Sequence, residues 1–456
     1  MRASPLIDHS LSTYADKKGR LQAELAAAPP GAGFGLAKTT SNLFRDRAPK
    51  ARPKIDLKHF DGVLNVDRKA GVVEAEGMTT FFDLADATLA EGAMPCVVPQ
   101  LKSITLGGAV AGVGIEASSF RFGLVHDTIA EMDVLTGDNR ILRCTPDNEH
   151  SDLFYGFPNS YGTLGYAIKL TARIVPAKRY VHVDHVRYSN AGACFADVAR
   201  LCAEGGIHFL DGVVFSPTEI YLTRGRSTDI APYTSDYSFE KIYYRSIRER
   251  PTDYLTTRDY LWRWDTDWFW CSKNVGAQHP LIRRLFGRER LNSVTYQRIM
   301  RWNTRWGLTR LRDRLRGVHP ESVIQDIDIP LESASEFLAF LHADVGLLPI
   351  WLCPIRAPDP DSRFTLYPLD PAKVYVNFGF WDVVSHREPR PEGYVNRKIE
   401  RKTRDLGGIK SLYSDSYFTE EEFWAVYDRP AYAALKQKYD PQGVLGDLYA
   451  KCVLRR

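Results

Sequence analysis

The densest chemistry-bearing stretch of the chain runs from Pro99 to Ile129, PQLKSITLGGAVAGVGIEASSFRFGLVHDTI. Gly107, Gly108, Gly112 and Gly114 alternate there with small or branched apolar residues, so backbone N–H groups can approach a bulky anion with no Cβ in the way. The anion that suits such a wall is a pyrophosphate. A GxxxxGK[ST] P-loop is absent, and the glycines do not keep the GxGxxG order between strand and helix that a Rossmann unit requires. A different dinucleotide fold is implied. Metal chemistry has no comparable signal: the seven cysteines, at 96, 144, 194, 202, 271, 353 and 452, show neither CxxC nor Cys/His spacing. No metal site is expected, and the thiols fit a reducing compartment.

The elements that must hold this stretch can be read on both sides of it. Glu131–Thr136 reads as a strand, Gly137-Asp138-Asn139 as its turn, and Arg140–Cys144 as the paired strand. A second glycine loop, Ser160-Tyr161-Gly162-Thr163-Leu164-Gly165, runs into the apolar strand Tyr166–Val175, stopped by Pro176. Upstream, Ser10–Ala28 has the pattern of a surface helix, Gly62–Asp67 and Gly71–Gly77 alternate like strands, and Thr80–Gly92 has helical spacing. From Arg179 the texture changes to mixed strands and helices, with apolar strands at Leu348–Ile355 and Val374–Phe380.

Two glycine loops separated by a hairpin, with these residues, resemble the FAD-binding domain of the vanillyl-alcohol oxidase and p-cresol methylhydroxylase superfamily. GGAVAGVGIEASS, RCTPDNEHSDLFY, GTLGYAIKLTARIVPAKRY, LPIWLCPI and EEFWAVYD are similar to its delta-24 sterol reductase branch, from about Pro53 to the C-terminus. The resemblance implies an α+β fold: a p-cresol methylhydroxylase-type FAD-binding domain of two α+β subdomains, carrying an α/β substrate cap. The expected boundaries are an N-terminal helical segment at 1–30, the FAD domain at 31–178, the cap at 179–430 with an insertion at 258–316, and a return to the FAD domain at 431–456. FAD contacts are implied for Thr105, Leu106, Gly107, Gly108, Gly112, Gly114, Ile115, Glu116, Ser118, Ser119, Gly123 and Asp127 in the first loop region. In the second loop they are implied for Gly162, Thr163, Gly165 and Ile168. Family members carry a further glycine-rich loop near residue 40; here Thr40, Ser41 and Asn42 stand in, with side chains able to donate hydrogen bonds. Covalent attachment in the superfamily uses His or Cys in that loop, and positions 38–47 contain neither, so dissociable FAD is expected, with NADPH as electron donor.

At 456 residues the chain is long for one core, and its 44% hydrophobic and 25% charged residues are ordinary for a globular enzyme. No run of about 18–20 apolar residues is present to cross a bilayer. Eukaryotic members of the branch have an N-terminal membrane segment; its absence here gives the expectation of a cytoplasmic bacterial enzyme. Charge is segregated: residues 258–316 hold fourteen Lys and Arg against five Asp and Glu, in a chain of net charge +4. Trp262, Trp264, Trp268, Trp270, Trp302 and Trp306 are interleaved with them. Such a region suits an anionic phospholipid surface, equally a basic face with tryptophans packed inward; no nucleic-acid motif accompanies it. Peripheral contact with the inner membrane surface is the expectation adopted.

Sterol reductases of this branch saturate a side-chain double bond, and bacterial relatives include reductases of a methylene group on a branched fatty acyl chain. Neither alkene is conjugated to a carbonyl, so a hydride alone would leave an unstabilised carbanion. Protonation must accompany or lead it, placing positive charge on the tertiary carbon. The proton requires a general acid kept protonated in an apolar pocket; Glu116, Tyr417, Tyr413, Asp415 and His126 are the candidates. The resemblance implies substrate contact at Trp351, Cys353, Tyr375 and Asn377. The expected activity is FAD-dependent reduction, or in reverse introduction, of an isolated C=C bond in a phospholipid acyl chain, alongside a lipid methyltransferase. Alternatives are a sterol delta-24 reductase, an oxygen-using alcohol oxidase and a non-catalytic lipid-binding protein.

Overall fold

Two antiparallel sheets frame the chain. The computed structural model describes residues 11–27, 34–38, 44–45, 54–306, 317–361 and 363–456. In the first sheet Val63–Asp67, Val72–Glu76, Tyr166–Pro176, Ile129–Leu135 and Ile141–Cys144 hydrogen-bond in that order, and Ala93–Pro95 pairs with the end of Tyr166–Pro176. The hairpin closes with Leu135 opposite Ile141, its turn carrying Asn139 at φ 64°. Asparagine tolerates that left-handed conformation better than most residues.

Helix Leu11–Ala27 lies against this sheet. Tyr14, Leu21 and Leu25 fall on one helical face and are buried with Phe60. Polar anchors fix the register: Tyr14 donates to Asp133 at 2.6 Å and Lys17 Nζ to both Glu76 oxygens at 2.9 and 2.7 Å. Helix Phe81–Ala90 starts where Thr80 accepts the Asp83 N–H, and it buries Phe81, Leu84, Ala85 and Thr88.

The second sheet has eight strands, in the order Thr252–Thr256, Tyr180–Tyr188, Glu219–Thr228, Phe209–Ser216, Ile350–Ile355, Tyr375–His386, His319–Pro330 and Ile409–Lys410. Alternation along these strands sorts residues between two faces. Leu210, Val214, Leu352, Phe378 and Ile327 pack against Phe195, Phe337 and Ile399 of helices Ala191–Glu204, Ala334–Phe340 and Tyr394–Asp405. Phe209, Val213, Trp351, Cys353 and Trp381 face the other way and join the core of the first sheet. Pairing places Gly379 opposite both Trp351 and Asp326, so these three form one row on that inner face.

The tryptophan-rich region divides. Trp262, Trp264, Trp268 and Trp270 are all buried, and Phe269 stacks on Trp264 and Trp381 with ring centroids 4.7 and 4.2 Å apart. For these four the interfacial expectation is corrected: they are core. Among the described residues of this region, the large apolar side chains exposed to solvent are Leu281, Ile282 and Leu285 on helix Pro280–Phe286 and Met300 and Trp302 on helix Ser293–Trp306. The side chain of Trp306, like residues 307–316, lies outside the described residues. No helix among the described residues is long and apolar enough to cross a membrane.

Candidate active site

A cavity of about 560 Å³ opens between the two sheets, a size within the usual ligand-pocket range of about 300–1,000 Å³. One wall is backbone. Helix Leu106–Gly112 begins at Thr105, whose hydroxyl accepts the Gly108 N–H at 3.2 Å. Thr105, Gly107, Gly108, Gly112, Gly114 and Ile115 line the cavity, joined by Gly162 and Gly165 from the second loop. Their lack of side chains serves the protein's own packing as well as any ligand: a Cβ on Gly107 would lie 2.9 Å from the Gly77 carbonyl oxygen, one on Gly114 2.6 Å from Val125, and one on Gly165 2.5 Å from the Leu135 carbonyl oxygen. Only a bare backbone closes these approaches.

The facing wall is aromatic and belongs to the second sheet and the tryptophan-rich region: Trp268, Phe269, Trp351 and Trp381, with Ser411, Tyr413 and Asp326 between them. Trp268 and Phe269 hold φ of 45° and 58°, a conformation costing on the order of 1–3 kcal/mol per residue where the surroundings enforce it. Both rings are thereby turned into the cavity. Lys38, Lys54, Lys451, Arg455 and Arg456 add cationic side chains to the lining. Beside it, Arg45 stacks over the Tyr161 ring at 4.7 Å, with Nε and Nη2 buried and unpartnered. A buried guanidinium with two unmatched donors calls for an anion. Small-residue backbone, cations and an aromatic chamber in one cavity fit a dinucleotide whose pyrophosphate is anionic and whose ring system is flat and apolar.

Several expected residues stand elsewhere. Glu116 is turned away from the cavity into a buried triad: Arg263 Nη2 reaches Glu116 Oε1 at 2.8 Å and Asp211 Oδ2 at 2.9 Å, and Asp211 also accepts from Trp264 and Trp351 Nε1 at 3.3 and 3.2 Å. Burial pushes the Glu116 carboxyl up to about 7, against the pull of the Arg263 charge. The triad ties the glycine loop to the second sheet and the tryptophan-rich region. His126 is buried edge-on against Phe364, ring centroids 4.4 Å apart, and burial pushes it down to about 3, leaving a neutral imidazole. Asp415 and Tyr417 do not line the cavity; they position Arg455, which does, through Asp415 Oδ1 at 3.5 Å and the Tyr417 hydroxyl at 3.1 Å. Leu106 and Ile168 are core residues. Ser118 donates to the Cys96 carbonyl (2.7 Å), Ser119 accepts the Glu116 N–H (3.1 Å), Thr163 donates to the Ser160 carbonyl (2.8 Å), and Asp127 accepts the Leu124 N–H (2.7 Å). These residues, with Gly123 at φ 72°, build the wall from behind. Thr40, Ser41 and Asn42 lie outside the described residues. Of the four expected substrate contacts, Trp351 lines the cavity; Cys353 and Asn377 sit one row behind it, opposite each other, and Tyr375 bonds the Asp370 N–H at 3.1 Å.

The residue this reading missed is Asp326. Its carboxyl is pushed up to about 8 by burial first and by neighbouring Asp328 second. The signal available was the i, i+2 pair Asp326 and Asp328 in an otherwise apolar strand.

Comparison with known proteins agrees with this geometry. A family described as FAD binding domain matches residues 37–145. The chain is 29% identical over 428 residues to the Delta(24)-sterol reductase of Homo sapiens, covering 90% of this chain and 80% of that one. It is 25% identical over 443 residues to the Delta(24)-sterol reductase of Pisum sativum, covering 88% and 76%. Over 158 residues it is 28% identical to Cytokinin dehydrogenase 7 of Oryza sativa, covering 34% and 30%. These matches give the chain an FAD-binding domain and place it beside the delta-24 sterol reductase-like branch of the vanillyl-alcohol oxidase and p-cresol methylhydroxylase superfamily, to which it is similar over most of its length. It is an α+β flavoprotein oxidoreductase, and the backbone wall at Thr105–Ile115 falls inside the matched FAD-binding segment.

Proposed function

We propose that this flavoprotein reduces an isolated carbon–carbon double bond in a lipid, the methylene or methyl-branched fatty acyl chain of a phospholipid, with NADPH as electron source. The observation that carries the reading is that the glycine wall and the aromatic chamber share one cavity. When bound and reduced, FAD supplies a hydride. The residues around it do the rest. Residues 31–178 form the FAD-binding unit, with the segment 431–456 returning to it, and 179–430 form the cap. Gly107 to Gly114 let the cofactor approach the backbone, and Arg45 with Lys451 and Arg455 neutralises its phosphates. Trp268, Phe269, Trp351 and Trp381 exclude water and pack an apolar chain. Neither positions 38–47 nor the described lining residues contain His or Cys, which supports a non-covalent flavin.

The acyl-chain reading is supported by the surface at 280–302. Leu281, Leu285, Met300 and Trp302 are exposed there beside the exposed Arg284, Arg288, Arg290 and Arg298, a combination suited to the inner membrane surface, where acidic headgroups meet acyl chains. An enzyme docked there takes its substrate from the bilayer and its methylene precursor from a lipid methyltransferase. The second reading, a sterol delta-24 reductase, is supported by the names of the sterol reductase relatives. Lipid mass spectrometry after expressing the chain with and without such a methyltransferase separates them. Conversion of methylene to methyl-branched phospholipid is the expected result; unchanged branched lipids with consumption of an added side-chain-unsaturated sterol would replace the first reading by the second.

A further inference from the structure

Asp326 is the one Asp or Glu among the described residues that line the cavity. Strand His319–Pro330 presents Asp326 and Asp328 to the same face, yet their surroundings differ. Asp328 has both oxygens engaged, by the Tyr367 hydroxyl at 2.7 Å and by Asn377 Nδ2 at 2.7 Å. Asp326 Oδ1 is buried without a partner. Tyr413 is near enough to this carboxyl to interact with it electrostatically, and its hydroxyl accepts from Trp381 Nε1 at 2.8 Å. Gly379 makes room for this arrangement, since a Cβ there would stand 2.7 Å from Asp326 Oδ1 and 2.6 Å from the Trp381 ring. An unmatched carboxylate oxygen between tryptophans is costly as an anion and stable as an acid.

We propose that Asp326, which lines the cavity together with Tyr413, is the catalytic residue that protonates the substrate alkene; this rests on the functional reading given above. The Asp326 O–H bond breaks as the π electrons form a C–H bond at the less substituted carbon, leaving positive charge on the tertiary carbon. Reduced FAD, when bound, would supply the hydride for the second C–H bond. The alkene is reduced by two electrons, the flavin is oxidised by two, and Asp326 is left as a carboxylate that regains a solvent proton through Tyr413. With its carboxyl held up to about 8, the acid form predominates at neutral pH.

The test uses the FAD-loaded protein and its Asp326→Asn and Tyr413→Phe variants, reduced anaerobically with NADPH and then mixed with vesicles of methylene-bearing phospholipid. Flavin reduction by NADPH is measured separately in each variant, so that reoxidation is compared from fully reduced flavin. Reoxidation by the alkene slows by about 10²–10⁴-fold in Asp326→Asn, the span expected for a lost general acid, and by less in Tyr413→Phe. Independently of turnover, the infrared spectrum of the flavin-free protein at pH 7 shows protonated-carboxyl C=O absorption, and Asp326→Asn removes one component of it while leaving that of Glu116. Wild-type reoxidation rates in both variants, or a spectrum unchanged by the substitution, overturn the assignment. If Asp326→Asn does not retain flavin, Tyr413→Phe and the infrared band decide. If the wild-type reduced flavin is not reoxidised by any isolated alkene, the functional reading falls and takes the proposal with it; if it is reoxidised and Asp326→Asn matches it, the proposal falls alone.

Discussion

Along one side of the cavity, Thr105 to Ile115 supply backbone from a single contiguous stretch; across from it, Trp268 and Phe269 come from the tryptophan-rich region, Asp326, Trp351 and Trp381 from three strands, and Ser411 and Tyr413 from a later segment. The first side is shaped by what glycine lacks, the second by which side chains strand pairing brings into one row. On the proposed function, binding a large common cofactor and choosing a substrate fall to different parts of the chain. A change on either side has its own signature.

The largest effect is expected where the two sides are tied together. Arg263→Ala strips Glu116 and Asp211 of the cation they share, leaving Asp211 only its two indole donors, a loss on the order of 3–5 kcal/mol, to be read in denaturant unfolding. A cost within 1 kcal/mol would mean that the triad does not hold the two sides. Next come paired substitutions that separate their roles. Gly379→Val drives a side chain into Asp326 and Trp381 and is expected to lower turnover by about 10²-fold or more while the purified protein stays yellow. Gly112→Val drives one toward the Tyr161 ring, 3.2 Å from a Cβ, and is expected to lower the flavin content instead. Equal effects on flavin content and turnover in both variants would erase the distinction.

A smaller effect concerns stability and pH. The native protein keeps a proton on Asp326 up to about 8, whereas the unfolded chain releases it near 4. Between those values the native state binds the extra proton, so this group lowers stability as pH rises. The melting temperature of Asp326→Asn minus that of the wild type is therefore expected to grow from pH 5 to pH 8; a constant difference would show the carboxyl ionised throughout. Smallest is Thr80→Ala, which removes the cap accepting from Asp83 and costs about 1 kcal/mol with no change in flavin content.

The legibility of the two sides follows from their construction. The hairpin at Leu135–Ile141, the strand Tyr166–Pro176 and the helix Phe81–Ala90 are local, and alternation or helical spacing marks each in the sequence. The glycine wall is a run and reads as one. Glu116 follows that run directly, yet it turns toward Arg263, 147 residues away in sequence, and nothing local encodes that direction. Asp326 has the opposite history. In VIQDIDIP an aspartate at every second position reads as the solvated face of a strand, and only the packing of this sheet face against the flavin-binding side makes Asp326 a half-buried cavity residue with Oδ1 shielded from solvent. The four tryptophans at 262–270 mislead for the same reason: arginines beside them suggest a surface, whereas Arg263 and Arg283 are themselves buried, paired with Asp211 and Asp267.

The claim that one cavity joins a cofactor to an isolated alkene is tested most directly by anaerobic stopped-flow spectroscopy of the FAD-loaded wild-type protein. The account predicts that NADPH bleaches the flavin and that vesicles containing methylene-branched phospholipid restore its colour faster than air does. Bleached flavin that air reoxidises rapidly while the alkene leaves it unchanged would contradict it.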